Sequence, residues 1–186
     1  MQTETERLLL RDFVEDDWRA SFGYHQDERY WQFYERETWG EAQERERVRL
    51  FIAWQKEQPR RRFQLAVVLK GEDRLIGNCG LRVRRSMVQG TDGAWEGDIG
   101  YELDPRCWGR GYATEAAAAI VRFGFEELKL HRVWSFGLAA NLRSWRLMER
   151  LGMRREGLLR ENEWLRGRWW DTVLYAILED EWRARL

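Results

Sequence analysis

Leu103-Asp104-Pro105-Arg106-Cys107-Trp108-Gly109-Arg110-Gly111-Tyr112-Ala113-Thr114-Glu115 closes a strand-like segment and opens a helical one. Glycines at a helix entry let the backbone turn its amides toward an anion, and the positive end of the helix dipole adds attraction. The chemistry suggested is a pyrophosphate cradle made by the Gly109, Arg110, Gly111, Tyr112, Ala113 and Thr114 amides. On residue types alone, a plain tight turn accounts for the same glycines equally well. Two other phosphate motifs are excluded: no lysine with a following serine or threonine succeeds the glycines, and no early parallel βαβ unit precedes them. His25 and His131 are the only histidines and lack ligand spacing, so no metal is expected. Cys79 and Cys107 also lack paired metal spacing and read as reduced thiols of a cytosolic protein.

The cradle needs a strand before it and a helix after it. Trp95 to Leu103 reads as that strand, the last of an antiparallel meander with Arg62 to Leu69 and Leu75 to Arg85. The turn formers Gly71-Glu72-Asp73 and Gly90-Thr91-Asp92-Gly93 separate the three. The helix runs from about Tyr112 to Lys129, with Ala113, Ala117, Ile120, Val121, Gly124 and Leu128 as the stripe that packs on the sheet. Upstream lie a strand over Arg7 to Arg11, a helix from near Trp18, an aromatic stretch, and a helix from Glu41 to Gln58 stopped by Pro59. In that last helix Glu41/Arg45, Glu44/Arg47 and Glu46/Arg49 are spaced as ion pairs, and Val48, Phe51, Ile52 and Trp54 form the inner face. Downstream come a strand Arg132 to Leu138, a helix Asn141 to Leu151 closed by Gly152, and a hairpin turning at Arg166-Gly167 with a last strand Thr172 to Leu178.

The 186 residues suit one domain, 1–186, able to bury a core without disulfides or metals. A net charge of +0 argues against general electrostatic binding to nucleic acid or an anionic membrane, so neither is an expected partner. The longest apolar stretch, Ala116 to Val121, is far shorter than the roughly 20 residues that cross a bilayer. Met1 to Arg7 has no secretory character, and the chain is expected to act in the cytoplasm. Twelve tryptophans suit half-buried or ligand-facing surfaces, although core packing also uses them.

The cradle resembles the coenzyme A loop of the GNAT acetyltransferases, whose pattern is Gln/Arg-x-x-Gly-x-Gly/Ala. Gly111 and Ala113 fill the later positions and Trp108 stands where a polar residue is usual. Trp-Gly-x-Gly-Tyr-Ala-Thr-Glu-Ala is similar to the ribosomal-protein N-terminal acetyltransferases, the RimJ/RimL-like branch. Asn141-Leu142-Arg143-Ser144 and Leu151-Gly152-Met153 resemble the Asn-x-x-Ser and Leu-Gly-Phe stretch of the same branch, and the likeness runs on through Gly167-Arg168-Trp169-Trp170-Asp171 to Glu181-Trp182. Residues 7–103 fit by element order, best at Ile99-Gly100-Tyr101.

The resemblance implies an α/β (α+β) fold, a central, mostly antiparallel sheet of about seven strands flanked by helices. Two neighbouring parallel strands would splay to admit acetyl-coenzyme A, the cosubstrate. Leu103, Trp108 and Asn141 would join the cradle residues in holding it. The implied reaction moves acetyl to a primary amine, preferably a protein or peptide N-terminus, alternatively a small amine, polyamine or aminoglycoside. A base must free the amine of its proton. Glu163 falls on the branch's catalytic glutamate position, and Trp164 and Trp169 would lower the dielectric around it. Glu102, on a strand face with Asp98 and Gly100, is the rival. Ser144 would protonate the leaving thiolate, or the thiolate would simply be stabilised as an anion. Trp31, Tyr34 and Trp39, in the aromatic stretch, are candidates for one wall of the acceptor site or for core. A monomer or homodimer is expected. Readings of other classes are a module that binds acyl-coenzyme A without turnover and a tryptophan-rich RNA-binding protein.

Overall fold

The computed structural model describes residues 1–35, 39–85 and 95–185. Chain order is β1 (Gln2–Glu4), β2 (Leu8–Asp12), α1 (Trp18–His25), a 3-10 turn Tyr30–Phe33, α2 (Glu41–Trp54), β3 (Arg62–Leu69), β4 (Arg74–Arg85) and β5 (Trp95–Leu103). It continues with α3 (Tyr112–Glu126), β6 (Arg132–Leu138), α4 (Leu142–Arg150), β7 (Arg154–Leu165), β8 (Arg168–Leu178) and α5 (Glu179–Arg183). The strands form one open sheet of eight in the order β1-β2-β3-β4-β5-β6-β8-β7. The eighth strand, beyond the seven expected, is β1, which pairs antiparallel with β2 from Gln2↔Arg11 to Glu4↔Leu9. Its polar sequence Gln-Thr-Glu carries no apolar alternation because it is an exposed edge.

The sheet's first half is covered on both faces, which explains its nearly continuous apolar strands. Along β3, Leu65, Val67 and Leu69 enter the core under α3, while Ala66 and Val68 enter a second core with Phe13, Trp18, Tyr24, Val48 and Phe51 from the α1–α2 side. Alternate residues thus serve opposite cores, as the pleat requires. The α3 stripe of Ala116, Ala117, Ile120, Val121 and Phe125 is buried against Leu81, Ile99 and Val133. Helix α3 ends at Glu126, short of Lys129, because the chain reverses there: the Leu130 amide donates to the Gly124 carbonyl at 3.0 Å and Lys129 adopts φ 53°. Helix α2 ends at Trp54, before Pro59; its last turn tightens, with the Gln55 and Lys56 amides bonded to the Ile52 and Ala53 carbonyls. The Gly90 to Gly93 turn lies outside the described residues. No helix of the described residues is long and apolar enough to cross a membrane.

One strand pair decides where a ligand enters. β5 and β6 are parallel and paired only at Glu96↔Arg132, Gly97↔Val133 and Asp98↔Trp134. Where the ladder ends, the Ser135 hydroxyl donates to the Ile99 carbonyl at 2.9 Å, and beyond it the strands part. β5 keeps its antiparallel pairing to β4 as far as Gly77↔Leu103. Gly77 is required there, since a Cβ would lie 2.2 Å from the Glu102 carbonyl oxygen.

Candidate active site

The splay between β5 and β6 opens into a cleft of about 820 Å³. At one end lie Gly109, Gly111, Tyr112, Ala113 and Thr114; midway are Tyr101, Leu103, Asn141 and Ser144; at the other end are Tyr30, Tyr34 and Glu102. Helix geometry leaves the first-turn amides of α3 without intrahelical acceptors. Gly109 (φ 78°) and Gly111 (φ 82°) hold the left-handed backbone that turns this entry toward the cleft. A Cβ at Gly109 would meet nothing within 4 Å, so the loop is open at that position. Uncharged amides, a helix dipole and open space fit a coenzyme A pyrophosphate.

The cradle is braced from behind. The Glu115 carboxylate accepts from the Arg7 amide at 2.9 Å, from Arg7 Nε at 2.7 Å and from the Thr5 hydroxyl at 2.5 Å. Arg7 Nη1 also donates to the Arg110 carbonyl at 3.0 Å, and its guanidinium sits 4.6 Å over the Tyr112 ring. Trp108 replaces the usual polar side chain with a hydrogen bond of its own: its indole N–H donates to the Leu103 carbonyl at 2.9 Å. The Arg143 guanidinium lies 5.1 Å over that indole, so α4 and the strand end meet across the cleft. The Asn141 side chain caps α4, accepting from the Ser144 amide at 3.3 Å. The Ser144 hydroxyl is 3.1 Å from the Tyr101 hydroxyl, which donates to the Ser144 carbonyl at 3.0 Å. Burial raises the Tyr101 phenol above its ordinary value, keeping it a neutral donor.

At the far end, Glu102 receives Tyr24 Oη at 2.8 Å, Tyr30 Oη at 2.7 Å, Asn78 Nδ2 at 2.5 Å and the Arg47 guanidinium. Burial alone would raise its pKa; the Arg47 charge and the His25 contact outweigh that and hold the carboxyl well below the usual range. Glu44 and Arg47 form the ion pair their spacing suggests, but not on the surface. They stand 3.9 Å apart, Glu44 is fully buried, and Arg47 reaches across to Glu102. Arg45 and Glu41 do pair, at 2.6 Å.

The sequence candidates divide. Of the aromatic stretch, Tyr34 lines the cleft, stacked on Tyr30 at 5.1 Å. Trp31 and Trp39 do not line it; their indoles donate to the His25 carbonyl and to Glu44 Oε2, each at 2.6 Å. Glu102 reaches the cleft. Glu163 is exposed on β7, opposite Trp170, and is not part of the lining. The hairpin that carries it does touch the acceptor side, where Arg166 Nη2 donates to the Trp31 carbonyl at 2.6 Å and the Arg166 amide to Glu35 Oε2 at 3.0 Å. Tyr24, His25, Arg47 and Asn78 were not foreseen as site residues, whereas Tyr30 belongs to the aromatic stretch expected at the acceptor end and lines the cleft. A charged pair on the otherwise apolar face of α2 was the available signal, since Glu44 falls four residues before Val48. Among the described residues, no group of three or more His, Cys, Asp or Glu side chains is placed to hold a metal.

A family model described as acetyltransferase (GNAT) domain matches residues 7–154. The chain is 34% identical over 182 residues to the uncharacterized N-acetyltransferase YnaD of Bacillus subtilis, covering 98% of this chain and 99% of that protein. It is 31% identical over 84 residues to the [ribosomal protein uS5]-alanine N-acetyltransferase of Escherichia coli, covering 45% of this chain and 43% of that one. The crystal structure of a GNAT-family acetyltransferase from Bacillus anthracis superposes with a TM-score of 0.78 at 33% identity, covering 97% of this chain and 99% of that one. With its splayed strands and amide cradle, the chain therefore belongs to the GNAT family and is an acetyl-coenzyme A-dependent N-acetyltransferase.

Proposed function

We propose that the acceptor is the amino terminus of a protein or peptide. The observation that carries this reading is the charge of the cleft wall: its only acidic side chain among the described residues is Glu102, and it shares the lining with Arg29, Arg143, Arg146 and Arg150, of which Arg143 and Arg150 lie toward the coenzyme A end, against Trp108 and Thr114. A polyamine or aminoglycoside brings several cationic groups, which such a wall repels. One ammonium at the end of an otherwise uncharged chain asks for one acceptor oxygen, which Glu102 offers even though Arg47 already pairs with it. The partial likeness to the uS5-alanine enzyme agrees with this reading.

In the reaction proposed, the amides of Tyr112, Ala113 and Thr114 hold the pyrophosphate of acetyl-coenzyme A, which supplies the activated acetyl group. Tyr30 and Tyr34 flank the incoming amine and Glu102 attracts its ammonium form. Because Glu102 is held by many donors and its pKa is low, it is a poor proton acceptor and serves as an anchor. Glu163, exposed on the hairpin that touches the acceptor side, takes the proton through water. The Ser144 hydroxyl, oriented by Tyr101, supports the departing thiolate.

The test is thiol release from acetyl-coenzyme A with hexapeptides beginning in Ala or Ser, with spermidine and with an aminoglycoside. Peptide turnover with a kcat/KM at least tenfold above the polyamine's is expected. Preference for spermidine or the aminoglycoside overturns the acceptor assignment.

A further inference from the structure

Behind the acceptor end of the cleft lies a buried polar cluster that the reaction above does not use. His25, the last residue of α1, is 2% exposed, and Glu44 of α2 is 0% exposed. Neither lines the cleft, but their neighbour Glu102 does, with 14% of its side chain exposed. His25 Nδ1 is 2.8 Å from Glu44 Oε2, and Nε2 is 3.4 Å from Glu102 Oε1. The imidazole is packed among Tyr24, Tyr30, Trp31 and Trp39, with ring centroids 4.2 to 6.0 Å away.

We propose that His25 is a positioning residue for the acceptor: from behind the cleft wall its imidazolium bridges Glu44 and Glu102 and fixes the carboxylate that meets the incoming ammonium. This rests on the reading of Glu102 as the ammonium anchor.

Charge balance supports the bridge, and a second feature shows what it turns on. With His25 protonated, Glu44 and Glu102 are matched by Arg47 and His25; with His25 neutral, one negative charge is left in a dry pocket. That feature is the double environment of Nε2, which faces Glu102 at 3.4 Å and Arg47 Nη1 at 3.2 Å. A protonated Nε2 donates to Glu102, whereas a neutral Nε2 accepts from Arg47. One proton therefore decides which partner it keeps.

Among the described residues, the ionisable groups facing the ring are Tyr24 of its own helix, Glu44 and Arg47 of α2, Glu102 of β5, and Tyr30 of the 3-10 turn, on which Tyr34 stacks. Burial keeps the three phenols above their ordinary value and so uncharged. For His25, burial lowers the pKa, but the contacts with Glu102 and Glu44 outweigh it and raise the pKa. A raised value means that the bridge's stabilisation is fully present below the ordinary histidine pKa of about 6.5. It is lost as pH rises through the raised value.

The ring can be followed directly by NMR in the full chain without any acceptor, because His131→Gln leaves His25 as the single remaining histidine. A titration midpoint above about 6.5, falling in Glu44→Gln and in Glu102→Gln, is expected. Kinetics with the Ala-initiated peptide then test positioning. His25→Asn, whose amide reaches only the Nδ1 partner, should raise the acceptor KM about tenfold with little change in kcat. His25→Gln, whose amide reaches toward Nε2, should recover part of that loss. In both, the rise in KM at alkaline pH should be smaller than in the wild type, because only deprotonation of the acceptor's own ammonium remains, and coenzyme A affinity should stay level by calorimetry. A midpoint at or below about 6.5, or an unchanged acceptor KM in folded variants, overturns the proposal. If only spermidine turns over, the peptide reading fails; the KM comparison is then made with spermidine, while the ring titration stands by itself.

Discussion

Arg166 at the β7–β8 hairpin tip donates from Nη2 to the Trp31 carbonyl at 2.6 Å, joining residues 135 positions apart in the chain. The contact ties the last hairpin to the aromatic segment that borders the acceptor end of the cleft. Arg166→Ala should therefore raise the acceptor KM several-fold while leaving coenzyme A affinity alone, because the cradle is at the opposite end. The residue is exposed, so thermal unfolding should move little. Calorimetry with coenzyme A beside peptide kinetics checks both halves; an unchanged acceptor KM counts against the hairpin as part of the acceptor site.

At the cradle, Gly109 is a cleaner probe than Gly111. A Cβ on Gly111 would lie 3.3 Å from Arg7 Nη2 and disturb the Arg7 brace, whereas one on Gly109 meets nothing within 4 Å. The left-handed backbone at Gly109 costs an ordinary substituted residue about 1–2 kcal/mol and a β-branched one more, so the fold of Gly109→Val is checked by its thermal unfolding before binding is measured. The side chain, and the backbone shift that a β-branched residue forces at this positive φ, should disturb the entry that aims the first-turn amides. Coenzyme A affinity should drop at least tenfold by calorimetry, and unaltered affinity in the folded variant would move the pyrophosphate elsewhere.

Trp39 should behave as a structural residue. Its indole N–H is one of the donors to buried Glu44, and Trp39→Phe keeps an aromatic ring but removes that donor. Leaving a buried carboxylate short of a partner costs about 1–3 kcal/mol. Urea unfolding should show that loss, with a smaller effect on the acceptor KM than Tyr34→Ala, whose ring lines the cleft. The reverse ranking would restore Trp39 to the acceptor wall.

Periodicity and turn chemistry made most of the fold legible. The strands Arg62–Leu69 and Trp95–Leu103 and the start of α3 at Tyr112 follow from apolar runs bounded by glycine, proline and acidic turns. The reversal at Lys129 was hidden because a left-handed lysine looks like any helical lysine until its neighbours' hydrogen bonds are known. At the site, the glycine entry and the Asn141 cap are local in sequence and were readable. The Glu102 cluster joins β5 to β4, α1, α2 and the 3-10 turn; Asn78 faces Glu102 across the β4–β5 ladder, and Tyr24 and Arg47 meet it only through the packing of the helices on the sheet. No spacing rule connects residue 24 with residue 102.

The division of labour between the two glutamates is decided by pH profiles. Removal of a proton by a positioned base is worth about 100- to 10,000-fold in rate. If Glu163 takes the proton, Glu163→Gln should lower kcat by at least the small end of that range at neutral pH. Raising the pH toward the acceptor's own pKa should then restore much of the rate, because a neutral amine needs no base. Glu102→Gln should act differently. Its anchor is lost, so the acceptor KM rises and pH rescue is slight; stability also falls, since Arg47 and His25 lose the anion they face. That stability difference should be present above the ordinary carboxylate pKa. It should vanish only in strong acid, as pH falls through the depressed value of Glu102. Ser144→Ala should cost less than either, because a thiol of pKa near 8.5 leaves readily as the anion. A large, pH-rescued loss of kcat confined to Glu102→Gln would make Glu102 the base and leave Glu163 a solvated strand residue.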